Sequence, residues 1–286
     1  MSSHSAVVAG VGMIPFVKPG ANDPYPVMAA TAGRLALADA GVEYGEIQQA
    51  YVGYVYGDST SGQKAVYALG MSGIPIVNVN NNCSTGSTAL FIARQAIASG
   101  AAECVLALGF EQMNPGAIGT VFNDRPSPFE DFDREAEALV GMPELPLALR
   151  YFGGAGLAHM NKYGTPLEAF AQVRAKASRH AARNPLALLR KELTTEDVMN
   201  APMLWPGVLT RLMACPPTCG AAAAVLVSDD YAGRHGLRTD VHIRAQAMTT
   251  DRPDSFESQD MMALVGYGMS RAAAQQVYES AGVGPG

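Results

Sequence analysis

The 286-residue sequence predicts an α/β fold, and three observations carry that prediction. Short apolar runs, each suited to a strand buried on both faces, recur as IPIVNV at 74–79, ECVLALG at 103–109 and CGAAAAVLVSD at 219–229. Helical patterns alternate with them, as in a layered sheet-and-helix domain. Hydrophobic residues make up 48% of the chain and charged residues 16%, which supplies a large core and excludes general disorder.

The elements follow in order. SAVVAGV at 5–11 reads as the first strand, and residues 12–23, rich in Gly and Pro, as a loop. PVMAATAGRLALADA at 26–40 has a helical pattern, with Gly41 as its stop. AYVGYVY at 50–56 joins aromatic and β-branched residues in a strand. A turn at 57–63 and a short helix at 64–71 lead to the 74–79 strand, expected in the middle of the sheet. The polar junction NNNCSTGS at 80–87 then opens a helix over 88–100. That helix is apolar nearly all round, so it is expected to be buried. Residues 117–205 are more charged and broken by proline, with helices expected at 147–162 and 166–183. So long a stretch needs structure of its own and reads as an inserted subdomain. After the 219–229 strand, VHIRAQAMTT at 241–250 reads as a further strand, and 270–281 as a helix with Ser270 as N-cap.

Composition narrows the function. The formal charge is −6, a poor match to nonspecific nucleic-acid or anionic-membrane binding. The start, MSSHSAVVAG, has no basic segment of a secretory signal, and no run approaches a membrane-spanning length. Four cysteines are too few for a disulfide scaffold at this size. A cytoplasmic setting is therefore expected. The glycines form neither a GxGxxG motif nor a P-loop.

Cys83 is the candidate nucleophile. A sulfur between a strand and a helix start meets unpaired N–H groups and the positive end of the helix dipole, which favour the reactive thiolate. Gly86 and the small residues Ser84, Thr85 and Ser87 allow backbone or substrate to come close. From position alone, an inert buried cysteine is an equal alternative. Cys104, inside an apolar run, reads as core. Cys215 and Cys219 lack the further ligands a metal would need, so no metal site is expected. His180, His235 and His242 sit among ordinary polar neighbours.

The stretch VNNNCSTGSTALFIARQAIASGAAECVLALGFEQM, 79–113, resembles the nucleophile region of thiolases. More narrowly it is similar to the thiolase part of sterol-carrier-protein-x and lipid-transfer-protein type enzymes. YGDSTSGQKAVYALGMSGIPIVNV (56–79), HMNKYGT (159–165), CPPTCGAAAAVL (215–226) and the stretch 245–282 extend the resemblance over nearly the whole chain.

The resemblance implies a thiolase fold, layered α-β-α-β-α from two similar halves. It divides this sequence into an N-terminal thiolase domain at 1–116 and 206–240, an inserted CoA-covering loop subdomain at 117–205, and the beginning of a C-terminal domain at 241–286. It implies an acyltransferase acting on fatty or sterol-side-chain 3-oxoacyl-CoA, with coenzyme A as substrate and Cys83 as acyl acceptor. His159, in the HMxKYG match, would lie beside CoA. Arg179 and Arg183, spaced to share a helix face, could meet its phosphates, or could neutralise the acidic 130–137 stretch. A homodimer or tetramer is implied, and a partner subunit is possible.

The family's second-half groups, a Gly-His-Pro histidine, a Cys-x-Gly cysteine and a His-Asp-Cys-Phe segment, have no counterpart in this sequence. The expectation is a chain lacking most of the C-terminal half and inactive in isolation. Two rivals stand beside the acyltransferase reading: a thiolase-fold aldolase subunit for steroid side-chain CoA esters working with a partner protein, and a non-catalytic homologue that binds acyl-CoA or lipid.

Overall fold

The computed structural model describes residues 5–114, 122–141 and 143–285. Two compact units emerge, one within Met1–Pro115, Pro217–Met248 and Gln276–Gly286, the other within Gly116–Pro216 and Thr249–Gln275. The start of the expected insert, 117–121, lies outside the described residues.

The first unit is built on a five-stranded sheet. β1 (Ala6–Met13), β2 (Gln49–Gly53), β3 (Ile76–Val79) and β4 (Cys104–Glu111) come first in the chain. β5 (Met203–Trp205) and β6 (Leu209–Thr210) form a hairpin elsewhere, and β7 (Gly220–Ser228) returns to the sheet. The order is β1-β7-β4-β2-β3. β2 runs parallel to both β3 and β4, while β7 is antiparallel to both β1 and β4.

Side chains along β4 alternate between the two faces, as a strand requires. Cys104, Leu106 and Leu108 join Ala29, Ala32 and Ala36 of α1 (Tyr25–Ala40) and Val66 of α2 (Ser61–Tyr67). Val105 and Ala107 join Ala89, Ala93 and Ile97 of α3 (Thr85–Ala98) on the opposite face. α1 lies close on β1 because Gly10 and Gly12 have no side chain there. A Cβ at Gly10 would fall 2.3 Å from the Ala40 nitrogen, and one at Gly12 2.2 Å from the Ala32 oxygen. Gly41, at φ 68, ends α1 in the left-handed region as its sequence position predicts.

Several expectations are corrected. β3 is an edge strand, paired among the described residues to β2 alone, and Val77 is 44% exposed. A run apolar on both faces looks the same at the edge and in the middle of a sheet; Pro75, which cannot donate to a ladder, was the contrary signal. α2 begins at Ser61, earlier than expected, because Thr60 turns the chain through the left-handed region at φ 69. α3 buries one face only, with Leu90, Phe91 and Ile92 partly exposed. Residues 241–250 form no strand. They touch β1 through a single bridge, Val7 to His242, with the Val8 amide donating to Val241 and the Ile243 amide to Ala6. Ser270 lies inside the helix Tyr267–Ala281 and caps nothing.

The second unit is mainly helical. Its chain order begins with α4 (Glu130–Val140), α5 (Leu147–Tyr163), α6 (Leu167–Ala182) and α7 (Thr195–Met199). A small core joins Ala136, Met261 and Leu264 to Phe132, Tyr151 and Phe256. The Tyr151 hydroxyl donates to Asp133 at 2.8 Å. α7 starts in a reciprocal cap: Thr194 Oγ1 accepts from the Asp197 amide at 3.0 Å, and Asp197 accepts from the Thr194 amide at 2.8 Å. Among the described residues no helix is long and apolar enough to cross a membrane.

Candidate active site

Cys83 stands exposed between the end of β3 and the start of α3. Asn82 makes the junction tight by entering the left-handed region at φ 56, where asparagine is better tolerated than most side chains. The helix then starts at Thr85, ahead of the expected 88, because two threonine hydroxyls replace apolar anchors in its first turn. Thr85 and Thr88 are buried. The Asn81 amide donates to Thr85 Oγ1 at 3.1 Å, and the Asn81 side-chain nitrogen donates to Thr88 Oγ1 at 2.7 Å. Thr85 Oγ1 donates to the Asn82 carbonyl, and Ser84 Oγ donates to the Asn81 carbonyl at 2.9 Å. These bonds tie every residue flanking Cys83 to the helix and hold the thiol in one place.

The junction sits at the C-terminal ends of parallel strands, where ligand sites of α/β sheets form. Gly53 at the end of β2 lies against the main chain of Thr85; a Cβ there would be 2.7 Å from the Thr85 oxygen. Gly109 pairs with Gly53 across the β2–β4 ladder. A Cβ on Gly109 would be 3.8 Å from both the Gly53 oxygen and the Gly86 Cα. Gly53 thus lets α3 press onto the sheet, while a side chain at Gly109 would meet only ordinary contacts.

The turn after β2 is held by the end of β4. Glu111 accepts from the Val55 amide and the Tyr56 amide, each at 3.0 Å. Burial raises the Glu111 carboxyl above its ordinary value, against the lowering effect of the Tyr56, Val55 and Gln112 amides. The Tyr56 phenol is raised as well, first by burial, then by the charges of Glu111 and Cys83. An aromatic stack supports the same end of the sheet. Tyr54 lies on Phe110 with centroids 5.0 Å apart, and Phe110 on Tyr25 at 4.8 Å.

Sequence reasoning missed Glu111 and Tyr56. The available signal was a lone acidic residue closing the otherwise apolar strand CVLALGFE. Cys83, Tyr56 and Glu111 all belong to the first unit, where Glu111 holds the Tyr56 amide and the Cys83 charge is among the causes that raise the Tyr56 phenol. His159, Arg179 and Arg183 belong to the second. His159 lies on α5 with its ring against Tyr163 at 4.7 Å and Phe170 at 6.3 Å, and its Nδ1 is buried without a hydrogen-bond partner among the described residues. Arg179, on α6, and Arg183, at its C-cap, are both exposed. The acidic 130–137 stretch is served by other arginines: Arg134 pairs with Asp131, and Arg150 with Asp133 at 3.2 Å.

The other thiols have structural places. Cys104 is buried in β4, and burial pushes it up to about 12. Buried Cys219 bridges Val17, and its sulfur accepts from the Met113 amide at 3.2 Å. Cys215 is exposed. Among the described residues no group of three or more His, Cys, Asp or Glu could hold a metal ion.

An exposed thiol on a fixed strand-to-helix junction is equipped for nucleophilic attack on an electrophilic carbonyl. Residues 6–142 match the family described as thiolase, N-terminal domain. Sterol carrier protein 2 of Oryctolagus cuniculus is 49% identical over 97% of this chain and 51% of its own length. Non-specific lipid-transfer protein-like 2 of Caenorhabditis elegans is 36% identical over 95% of this chain and 67% of its own. Benzoylsuccinyl-CoA thiolase subunit BbsB of Thauera aromatica is 28% identical over 97% of this chain and 68% of its own. The chain spans about half the length of the sterol carrier protein 2 relatives it matches. Among solved structures, the Ltp2-ChsH2(DUF35) aldolase superposes with a TM-score of 0.77 at 23% identity, covering 100% of this chain and 72% of that one. The acetyl-CoA acetyltransferase from Syntrophomonas wolfei superposes with a TM-score of 0.74 at 17% identity, covering 99% and 77%. The fold is that of thiolases.

Proposed function

The chain belongs to the thiolase family, in the group of sterol carrier protein 2 and non-specific lipid-transfer proteins, and on that premise we propose that it serves an acyltransferase in which Cys83 accepts the acyl group of a fatty or sterol-side-chain 3-oxoacyl-CoA. The observation that carries the proposal is the exposed Cys83 thiol, fixed by the Asn81, Thr85 and Thr88 bonds at the C-terminal edge of the sheet. The name of the Thauera relative, a CoA thiolase subunit, supports both a CoA-thioester substrate and assembly with further chains.

The Cys83 thiolate attacks the 3-carbonyl carbon, and the bond between carbons 2 and 3 breaks. Its electron pair stays on carbon 2 as the enolate of acetyl-CoA, which takes up a proton. The acyl group remains on sulfur until the thiol of a second CoA attacks it, restoring Cys83 and releasing a shortened acyl-CoA. The Cys83 amide, just before the helix N-cap, is the proposed donor to the acyl oxygen, the role such donors serve in acyl transfer. In the second unit, the Nδ1 of His159, unsatisfied among the described residues, and the exposed Arg179 and Arg183 are the proposed contacts to coenzyme A. The working protein is a homo-oligomer or includes a partner subunit.

The experiment is acyl trapping. Incubation with a 3-oxoacyl-CoA, a quench and intact-mass analysis are expected to show one acyl group per chain, mapped to Cys83 and lost in Cys83→Ala, with no continuing thiolysis turnover by the chain alone. Cleavage of a 3-hydroxyacyl-CoA without acylation of Cys83 would instead favour the aldolase reading. Acyl-CoA binding with neither reaction would favour a carrier.

A further inference from the structure

We propose that Tyr56 is a further substrate-contacting residue of the Cys83 site and that Glu111 is the residue that positions it. The proposal rests on the acyl-accepting role given to Cys83 above.

Its geometry starts from the paired ends of β2 and β4. Gly53 stands opposite Gly109, so Glu111, two residues on, is level with the turn that leaves β2. Its two carboxylate oxygens each take one of two consecutive amides, Val55 and Tyr56, at 3.0 Å. Such a clamp needs two acceptors. A glutamine could supply only one, and its NH2 would face a donor. The carboxylate is half-buried and has no cationic partner among the described residues. Burial without an opposite charge is unfavourable for an ionised acid, so the structure keeps this group despite a loss of stability, as is common where function requires one.

Tyr56 leaves the same end of the sheet as Cys83. Gly53, three residues before it, abuts the Thr85 main chain, two residues after Cys83. The Tyr54 amide also donates to the Val79 carbonyl at 3.3 Å, tying the turn to the strand that leads to the junction. The Tyr56 side chain is half-buried, and its hydroxyl makes no hydrogen bond among the described residues. Because burial and the neighbouring charges raise this phenol, it stays protonated at neutral pH and is a neutral donor. A thioester or ketone oxygen gaining charge as sulfur attacks is the acceptor it would meet.

The test compares two reactions of Cys83 in the full chain. One is single-turnover acylation by a 3-oxoacyl-CoA, followed by intact mass over a range of concentrations. The other is alkylation by iodoacetamide, which needs no donor to a carbonyl. Tyr56→Phe is expected to lower the saturating acylation rate about 100- to 1,000-fold and to leave alkylation within about twofold. Glu111→Gln is expected to show the same selective loss. The double variant is expected to lose no more than Tyr56→Phe, because Glu111 acts through Tyr56.

A Tyr56→Phe protein acylated at the wild-type rate overturns the proposal, as does an equal loss of acylation and alkylation. Additive losses in the double variant overturn the part given to Glu111. If the wild-type chain is alkylated but never acylated, the Cys83 reading itself fails and takes this one with it. That outcome is distinct from wild-type acylation with a normal Tyr56→Phe, which sinks only the present proposal.

Discussion

Replacing Gly53 with alanine places one methyl group where β2 meets α3, the helix that follows Cys83. The added Cβ would lie 2.7 Å from Thr85 Cγ2, 2.7 Å from the Thr85 oxygen and 2.9 Å from its carbonyl carbon. Ordinary carbon contacts begin near 3.5 Å, so the neighbours must retreat by about 0.8 Å. Thr85 cannot simply rotate away, because its hydroxyl accepts from Asn81 and donates to Asn82. Either α3 shifts as a body or β2 bows. Overpacking of this sort typically lowers stability by about 1–3 kcal/mol. The reduced freedom of the unfolded chain offsets about 0.4–1 kcal/mol of that. The expected net loss is about 1–2 kcal/mol, read as a lower urea midpoint at unchanged slope. Since the displaced segment carries Cys83, its iodoacetamide alkylation rate is expected to change as well, while that of Cys215 is not. A Gly53→Ala protein as stable as the wild type, with the same Cys83 rate, would refute the close-approach argument.

Three further outcomes follow from the same structure. Native protein treated with iodoacetamide is expected to modify exposed Cys83 and Cys215 and to spare buried Cys104 and Cys219 until unfolding; peptide mapping that finds Cys104 modified in the folded state would contradict its placement in β4. Glu111 holds its proton more tightly when folded than its ordinary value of 4.5, so its contribution to stability is present below that value and is lost as pH rises through the folded one. Urea midpoints should therefore fall in wild type relative to Glu111→Gln as pH rises above about 4.5, and a constant difference between the two proteins would exclude this account of the half-buried carboxylate. In the second unit, a Cβ at Gly153 would lie 2.9 Å from the ring of Trp205, the single tryptophan of the chain. Gly153→Ala should displace that ring and alter intrinsic fluorescence, and an unchanged spectrum and melting temperature would show that the α5 contact is loose.

The parts of the fold legible in the sequence are those where one physical signal dominates. α1 is readable because an alanine-rich face has to meet a sheet and a left-handed glycine has to stop it. β4 and β7 are readable because a strand buried on both faces has no polar alternation to disguise it. Elements fail where two signals compete. The first turn of α3 reads as a loop because Thr85, Gly86 and Ser87 are poor helix formers, yet the Thr85 and Thr88 hydroxyls satisfy the junction's polar groups from within the helix. The 241–250 segment has the composition of a strand but pairs with β1 at a single position. At the candidate site, Cys83 is found from its local neighbours. Glu111 and Tyr56 are not, since they are far apart in sequence and meet only because β2 and β4 are parallel neighbours in register.

The place of β7 between β1 and β4 sets a constraint on how the chain can be made. β4 ends at Glu111 and β7 begins at Gly220, with the whole α4 to α7 segment between them. A ribosome adding about 5–20 residues per second delivers the missing strand roughly 5–20 s after β4 has emerged. During that interval β3, β2 and β4 can already pair, but β1 waits apart and the β4 edge offers unpaired amides and carbonyls to any strand nearby. The sheet therefore closes late and by a long-range contact, and substitutions in the alanine run of β7 should reduce the yield of folded protein during synthesis more than they reduce the stability of the finished fold.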